Sequence, residues 1–188
     1  GDVRTLSQPD LESSRARLAR AQRMIVSLHS IDKPVIAAAR GAVAGIGWSM
    51  VMACDQVLAS PTAFFAQVFK NMGLAPDGGA IYFLAQHIVV LRAKELVLSG
   101  RRLPAAEALD LGLVNRIVPD ESLEQEAGKL AQELAAGPTR AFGLGKQLFR
   151  QATGSALESY LKLETEAPIA AFQTKDHKEG VQAFLDKR

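Results

Sequence analysis

The stretch Lys33–Asp55, KPVIAAARGAVAGIGWSMVMACD, constrains the fold more than any other part of this chain. Val35–Ala39 is a short apolar run after Pro34, the pattern of a buried strand. Gly41, Gly45 and Gly47 supply a flexible turn, and Trp48–Cys54 continues without a helix breaker. Strand, glycine turn and helix therefore come in order. Glycines let the backbone approach a bound molecule closely, and a helix start offers unpaired N–H groups with partial positive charge. The turn reads either as a tight corner or as a place to hold an oxygen that becomes negative. A dinucleotide fingerprint is disfavoured, because its third glycine would fall at Met50.

The elements around this stretch follow from punctuation and periodicity. Upstream, Leu11–Leu28 places Leu11, Leu18, Ala21, Ile25 and Leu28 on one stripe, which predicts an amphipathic helix. Arg15, Arg17, Arg20 and Arg23 of that helix read as its solvated face, since the aromatic residues of a nucleic-acid platform are missing. Downstream, Gln56–Ser60 and Ala63–Gln67 read as two strands around Pro61, followed by Gly73–Gly79, GLAPDGG. Pro76 fixes its own backbone and Gly78–Gly79 allow a sharp turn, which puts Asp77 at the start of a helix over Ala80–Gln86. By spacing alone Asp77 reads as an N-cap.

From Val90 the chain reads as mostly helical. Val90–Leu98 closes at Gly100 and Pro104–Leu111 at Gly112, with a strand over Leu113–Val118. Helices follow over Asp120–Ala135, Thr139–Ala152 and Ser155–Gln173, the last expected to kink or break at Pro168. The expected organisation is an α/β core over 1–118 and a helical region over 119–188, in one domain, with no internal repeat.

Composition narrows the function classes. At 188 residues the chain is long enough for one sizeable core, and 48% hydrophobic against 22% charged residues is ordinary for a globular domain. A net charge of +2 gives no argument for nucleic acid or a membrane surface. The uncharged run Gly41–Cys54 is too short and glycine-rich to span a bilayer. One cysteine rules out an internal disulfide framework, and with no export leader in view the expected setting is the cytoplasm. His29, His87 and His177 lack metal-ligand spacing and read as surface or capping groups, so no metal is expected. Cys54 reads as a small core residue, and no G-x-S-x-G elbow surrounds Ser49.

Four ordered segments carry a resemblance to a known family: KPVIAAARGAVAGIGWSMVMACDQVLAS, FAQVFKNMGLAPDGG at Phe65–Gly79, LSGRRLPAAEALDLGLVNRIVP at Leu98–Pro119, and KDHKEGVQAFLDKR at Lys175–Arg188. Together they resemble the crotonase superfamily, the enoyl-CoA hydratases and isomerases, over essentially the whole chain. The resemblance implies an α/β fold of repeated ββα units wound as a spiral, then helices that cover the site and build a homotrimer or a dimer of trimers. It implies an acyl-CoA substrate, with coenzyme A part of that substrate and no separate cofactor, and no nucleic-acid or membrane partner.

The same resemblance assigns roles to residues. The Ile46 amide supplies one oxyanion donor, supported by Gly45 and Gly47. GDVRTL is similar to the tail of the A-G-x-D motif, with Asp2 as its aspartate and Asp2 and Val3 beside the CoA. The second oxyanion amide would then come from a residue before Gly1, as in a fragment of a longer chain. The two glutamates that place and deprotonate water in hydratases correspond here to Ser49 and Phe69. Asp77, within G-L-x-P-D-x-G, then remains as the acid/base, as in the branch of 1,2-epoxyphenylacetyl-CoA and Δ3,Δ2-enoyl-CoA isomerases. Trp48, Ser49, Phe69 and Met72 are expected to line its pocket, and Lys187, in the F-x-x-K-R ending with Phe184 and Arg188, to approach the CoA.

The expected function is a double-bond shift in an unsaturated acyl-CoA, in fatty-acid β-oxidation or phenylacetate degradation. Hydratase, other lyase or hydrolase chemistry, and a non-catalytic CoA-binding subunit, stand as alternatives.

Overall fold

The structure, a computed structural model, describes residues 10–188. Helix α1 (Leu11–Ser30) starts at Asp10, whose carboxylate accepts the Ser13 N–H at 2.8 Å. Two strand–strand–helix units follow: β1 (Ile36–Ala39), β2 (Ala42–Ala44) and α2 (Ile46–Met52), then β3 (Gln56–Ala59), β4 (Phe64–Ala66), a 3-10 helix (Val68–Met72) and α3 (Ala80–His87). The remainder is α4 (Val90–Ser99), β5 (Leu103–Pro104), α5 (Ala105–Asp110), β6 (Arg116–Ile117), α6 (Leu123–Ala136), α7 (Thr139–Ala152), α8 (Leu157–Phe172) and α9 (Lys175–Leu185).

Each unit sends its first strand to one sheet and its second to another. β1 pairs parallel with β3 and β3 with β6; β2 pairs parallel with β4, and β5 closes antiparallel on β4. This is the spiral of ββα units expected from the sequence. Its registers stack small against large residues, Ala37 opposite Val57 and Val43 opposite Phe65. The main core gathers Trp48 and Met52 of α2, Phe65, Phe83, Leu96 and Leu103. A second cluster of Leu58, Val118 and Leu123 seats α6 on the first sheet with Ala127 and Leu130.

Several elements differ from the sequence reading, each for a local reason. The glycine stretch holds a strand: β2 forms between Gly41 and Gly45 because its backbone pairs with β4. Helix α2 starts at Ile46 rather than Trp48, since Gly45 at φ 55°, ψ −126° makes the turn alone. The strand expected over Leu113–Val118 shortens to β6, because the Asn115 side chain takes the Val57 N–H at 2.7 Å. Helix α6 begins at Leu123 instead of Asp120, whose carboxylate accepts the Thr62 hydroxyl at 3.0 Å and pairs with Arg40 at 3.3 Å. Pro168 does not break α8; it is exposed, where water can serve the carbonyl it leaves without a donor.

Helices α7–α9 carry large exposed apolar groups, with Phe149 at 81% and Phe184 at 82% of full exposure. Among the described residues no helix is long and apolar enough to cross a membrane.

Candidate active site

The site forms where α2 begins. The Gly45 N–H donates to the Ala66 carbonyl at 3.0 Å, which pins the turn to the end of β4. The Gly45 carbonyl accepts the N–H groups of Trp48 at 3.0 Å and Ser49 at 3.2 Å, closing the first turn of α2. As the first helical residue, Ile46 has no carbonyl one turn back, and its N–H meets no acceptor among the described residues. The φ of 55° favours glycine here, while a Cβ would meet the Phe69 ring, which lies over the turn, at an ordinary contact distance of 3.6 Å. Gly47 has open space where its Cβ would be.

The Asp77 loop is laid directly on this turn. Gly78, at φ 60°, packs so closely that a Cβ would stand 2.9 Å from Ile46 Cγ1 and 3.4 Å from Ser49 Cβ. Ser49 is fully buried, and its hydroxyl donates a long bond, 3.4 Å, to the Asp77 carbonyl. The N-cap reading of Asp77 does not hold. Gly79 occupies the cap position of α3 with no side-chain bond, because left-handed backbone at both Gly78 and Gly79 turns the Asp77 carboxyl away from the helix start. The carboxyl is half-buried, with Oδ1 inaccessible and without a partner among the described residues. Burial pushes its pKa above the usual aspartate range, and Arg17 pulls in the other direction. A carboxylate held this way, partly dehydrated and with one oxygen that meets no donor among the described residues, is suited to take a proton from carbon.

Of the residues singled out in the sequence, Gly45, Ile46, Ser49, Phe69 and Asp77 converge here. Trp48 was expected to line the pocket but belongs to the core, 1% exposed with its ring centroid 5.6 Å from that of Phe65. Met72 is exposed at the far end of the 3-10 helix. Lys187 follows α9, exposed and in left-handed backbone at φ 54°. Asp2 and Val3 lie outside the described residues.

Two contributors were not legible as such. Gly78 was read only as a turn residue, and Arg17 was assigned to the solvated face of α1. Arg17 is half-buried, while Arg15, Arg20 and Arg23 are exposed. The helical stripe Ser14, Arg17, Ala21, Ile25, Leu28 is the signal that could have found it.

A cleft of about 640 Å³ opens at the other end of α2, against α3 and α7, and does not include Asp77. His29 and His87 reach into it from either side of Phe83, at centroid distances of 5.4 and 6.3 Å. His87, an exposed residue, has its Nε2 3.1 Å from the Met52 carbonyl and His29 bonds the Ala53 backbone, so both act as capping groups at the end of α2. In its floor Lys146 pairs with Asp55 at 2.6 Å and donates to the Lys33 carbonyl at 2.8 Å. Cys54 lies past the end of α2, partly buried, its thiol pushed up to about 11 by burial. No three metal-ligating side chains come together among the described residues.

Two successive ββα units that send their first strands to one sheet and their second strands to another form the crotonase-type spiral. A family model described as enoyl-CoA hydratase/isomerase matches residues 3–188, and the chain belongs to this family. It is 36% identical over 189 residues to the Bacillus subtilis protein YhaR, named as an enoyl-CoA hydratase/isomerase, covering 100% of this chain and 74% of that one. It is 37% identical over 180 residues to the 1,2-epoxyphenylacetyl-CoA isomerase of Escherichia coli, covering 96% of this chain and 68% of that one. The crystal structure of an enoyl-CoA hydratase from Polaromonas sp. JS666 superposes with a TM-score of 0.93 at 33% identity, covering 100% of this chain and 74% of that one. Hydratase and isomerase names both occur among such relatives.

Proposed function

We propose that this protein shifts a double bond in an unsaturated acyl-CoA by proton transfer through a stabilised enolate. The carrying observation is the charge inventory around the turn. Among the described residues Asp77 is the one carboxylate there, and the flanking positions hold Ser49, fully buried, and Phe69, 7% exposed. Hydration needs groups that hold a water and move its proton; a buried hydroxyl already bonded to backbone and a phenyl ring do neither. A double-bond shift consumes no water. One carboxylate that accepts a proton at one carbon and returns it two carbons along completes the cycle.

The thioester oxygen would sit at the Ile46 N–H, where negative charge develops as the neighbouring C–H is lost. One such donor contributes about 10²–10³ in rate. Phe69 over Gly45 keeps the turn dry, which strengthens that bond and protects the enolate from solvent. The likeness to the E. coli isomerase supports the reading. Coenzyme A arrives as part of the substrate, and no other cofactor enters. The exposed apolar faces of α7–α9 support self-association, as a trimer in this reading.

The test is conversion of a 3-enoyl-CoA to its 2-enoyl isomer, followed by the absorbance of the conjugated thioester. Turnover that Asp77→Asn abolishes supports the proposal. Turnover retained in that variant, or hydration of 2-enoyl-CoA at a rate above isomerisation, overturns it.

A further inference from the structure

The last turns of α1, α2 and α3 meet at the cleft of about 640 Å³, and α7 forms its facing wall. That volume lies within the range of about 300–1,000 Å³ in which small molecules are bound. The stripe of α7 that lines the cleft is Phe142, Gly145, Lys146, Phe149 and Arg150, at the spacing of one helix face. Tyr82 of α3 adds a third aromatic ring.

Gly145 is the odd member of that stripe, because glycine weakens a helix interior. Gly143, one residue pair earlier, has a packing reason: a Cβ on it would run into the Asp32 carbonyl. A Cβ on Gly145 would meet nothing within 4 Å. The missing side chain leaves a notch about midway between Phe142 and Phe149, which are two turns, about 10 Å, apart along the axis. A flat ring fits such a notch and meets aromatic edges and faces there.

The charges at the cleft are unequally used. Lys146 is held by Asp55 at 2.6 Å and by the Lys33 carbonyl at 2.8 Å, and Asp55 also accepts the Val35 N–H. The Arg150 side chain is 22% exposed, yet its contacts are long. Its Nη1 donates to the His29 carbonyl at 3.5 Å, and its Nη2 lies 3.6 Å from Asp32 Oδ1, which already accepts Gln147 Nε2 at 3.0 Å. A guanidinium offers several N–H donors, so Arg150 is mostly dehydrated without one short partner among the described residues. The other titratable groups do not compete for an anion. Burial pushes His29 below the usual histidine range, with Arg150 and Lys146 adding to the effect, and burial pushes the Cys54 thiol up to about 11.

We propose that this cleft is a second binding site, separate from the Asp77 pocket, for a planar aromatic carboxylate whose ring enters the Gly145 notch and whose carboxylate pairs with Arg150. The ring displaces water from Phe142, Phe149 and Tyr82, and the carboxylate supplies the short, charge-assisted bonds that Arg150 lacks. A guanidinium suits a planar two-oxygen anion better than an ammonium does, because it can donate to both oxygens at once. Asp77 is not among the cleft residues, so the site does not rest on the isomerase reading.

The test is calorimetric titration of the protein with 2-naphthoate and with 2-naphthamide, its uncharged counterpart. The wild-type protein should bind the carboxylate one to one. Arg150→Gln should weaken that binding by about tenfold, the lower end of what a hydrogen bond to a charged group contributes, and leave the weaker binding of the amide unchanged. Gly145→Leu should abolish binding of both ligands while unfolding no earlier in urea, since leucine favours the helix and has room there. Asp77→Asn should bind the carboxylate as wild type does. Equal affinity in wild type and Arg150→Gln, binding that survives Gly145→Leu, or no heat from the carboxylate at millimolar concentration overturns the proposal. Binding that disappears as the protein self-associates also overturns it, because a second copy would then cover Phe149.

Discussion

Gly78 touches Ile46 so closely that a Cβ on it would stand 2.9 Å from Ile46 Cγ1. The loop that carries the candidate base is therefore seated on the residue that offers the candidate oxyanion donor, and neither can move without the other. Gly78→Ala should cost about 1–2 kcal/mol from the left-handed backbone alone, and more as Ile46 is displaced. Isomerase activity should fall further than stability accounts for, because the distance between amide and carboxyl changes. Denaturant unfolding set beside kcat at a temperature where the variant is folded would show it. A variant with full activity would mean that this contact does not set the site.

Asp77→Asn should lower the rate by about 10²–10⁴, the range for removal of a general base, with acyl-CoA binding kept. It should also change stability in a pH-dependent way. Burial raises the folded-state pKa of Asp77 above its unfolded value, so the charged carboxyl opposes folding at neutral pH. The folded state binds the proton more tightly, and the penalty fades as pH falls through that raised value towards the ordinary value of about 3.9. The variant should thus be more stable than wild type at pH 7, with the difference closing in acid. Thermal unfolding across that range reads it directly.

How much of this could be seen in the sequence depends on which force decides each feature. The Gly45 turn and the helix after it were legible, because few residues other than glycine can take that backbone. Strand β2 was not, since three residues between two glycines become a strand only through pairing with β4, far along the chain. Asp77 was placed in the right loop but read as a cap, because two successive glycines with positive φ redirect it and spacing carries no dihedral angles. Trp48 sits one turn from the site yet faces Phe65, a choice made by the second sheet. Arg17 lay on a readable stripe, but a charge on a helix is solvated so often that its neighbours outvoted the pattern.

Phe69 is 7% exposed and its ring covers Gly45. Phe69→Ala should cost about 3 kcal/mol, the lower end for a large-to-small change, since the pocket edge can take up water. That water reaches the enolate. There it can protonate the enolate in place of the Asp77 carboxyl, so turnover in deuterium oxide, followed by mass spectrometry, should place more solvent deuterium in the isomerised acyl-CoA than wild type does. An unchanged deuterium content would show that the ring packs without guarding the turn.

Lys146, its side chain 10% exposed, pairs with Asp55 at 2.6 Å, and Asp55 also accepts the Val35 N–H at 2.6 Å. Together with the Lys33 carbonyl bond this fastens α7 to the linkers on either side of the β1–α2 unit. Lys146→Met leaves a partly buried carboxylate without its cation and should cost about 3 kcal/mol. The double variant with Asp55→Asn should recover part of that, because the stranded charge is gone. Urea unfolding of wild type, Lys146→Met, Asp55→Asn and the double variant forms the cycle; additive losses would mean that the pair contributes no coupling.

Cys54 offers a probe of the far end of α2 that leaves the site untouched. Its thiol is pushed up to about 11 by burial, with Asp55 adding to the effect, and its Sγ donates to the Met50 carbonyl at 3.3 Å. At pH 8 the thiolate fraction is on the order of 10²-fold below that of an ordinary cysteine with a pKa near 8.5. Alkylation by iodoacetamide should be slower by about that factor in the native protein and return to the ordinary rate in urea. Because removal of the Asp55 charge lowers the cost of a thiolate, Asp55→Asn should speed the native reaction. Native labelling as fast as that of a free thiol would show that the cleft beside α2 opens to solvent more than this packing allows.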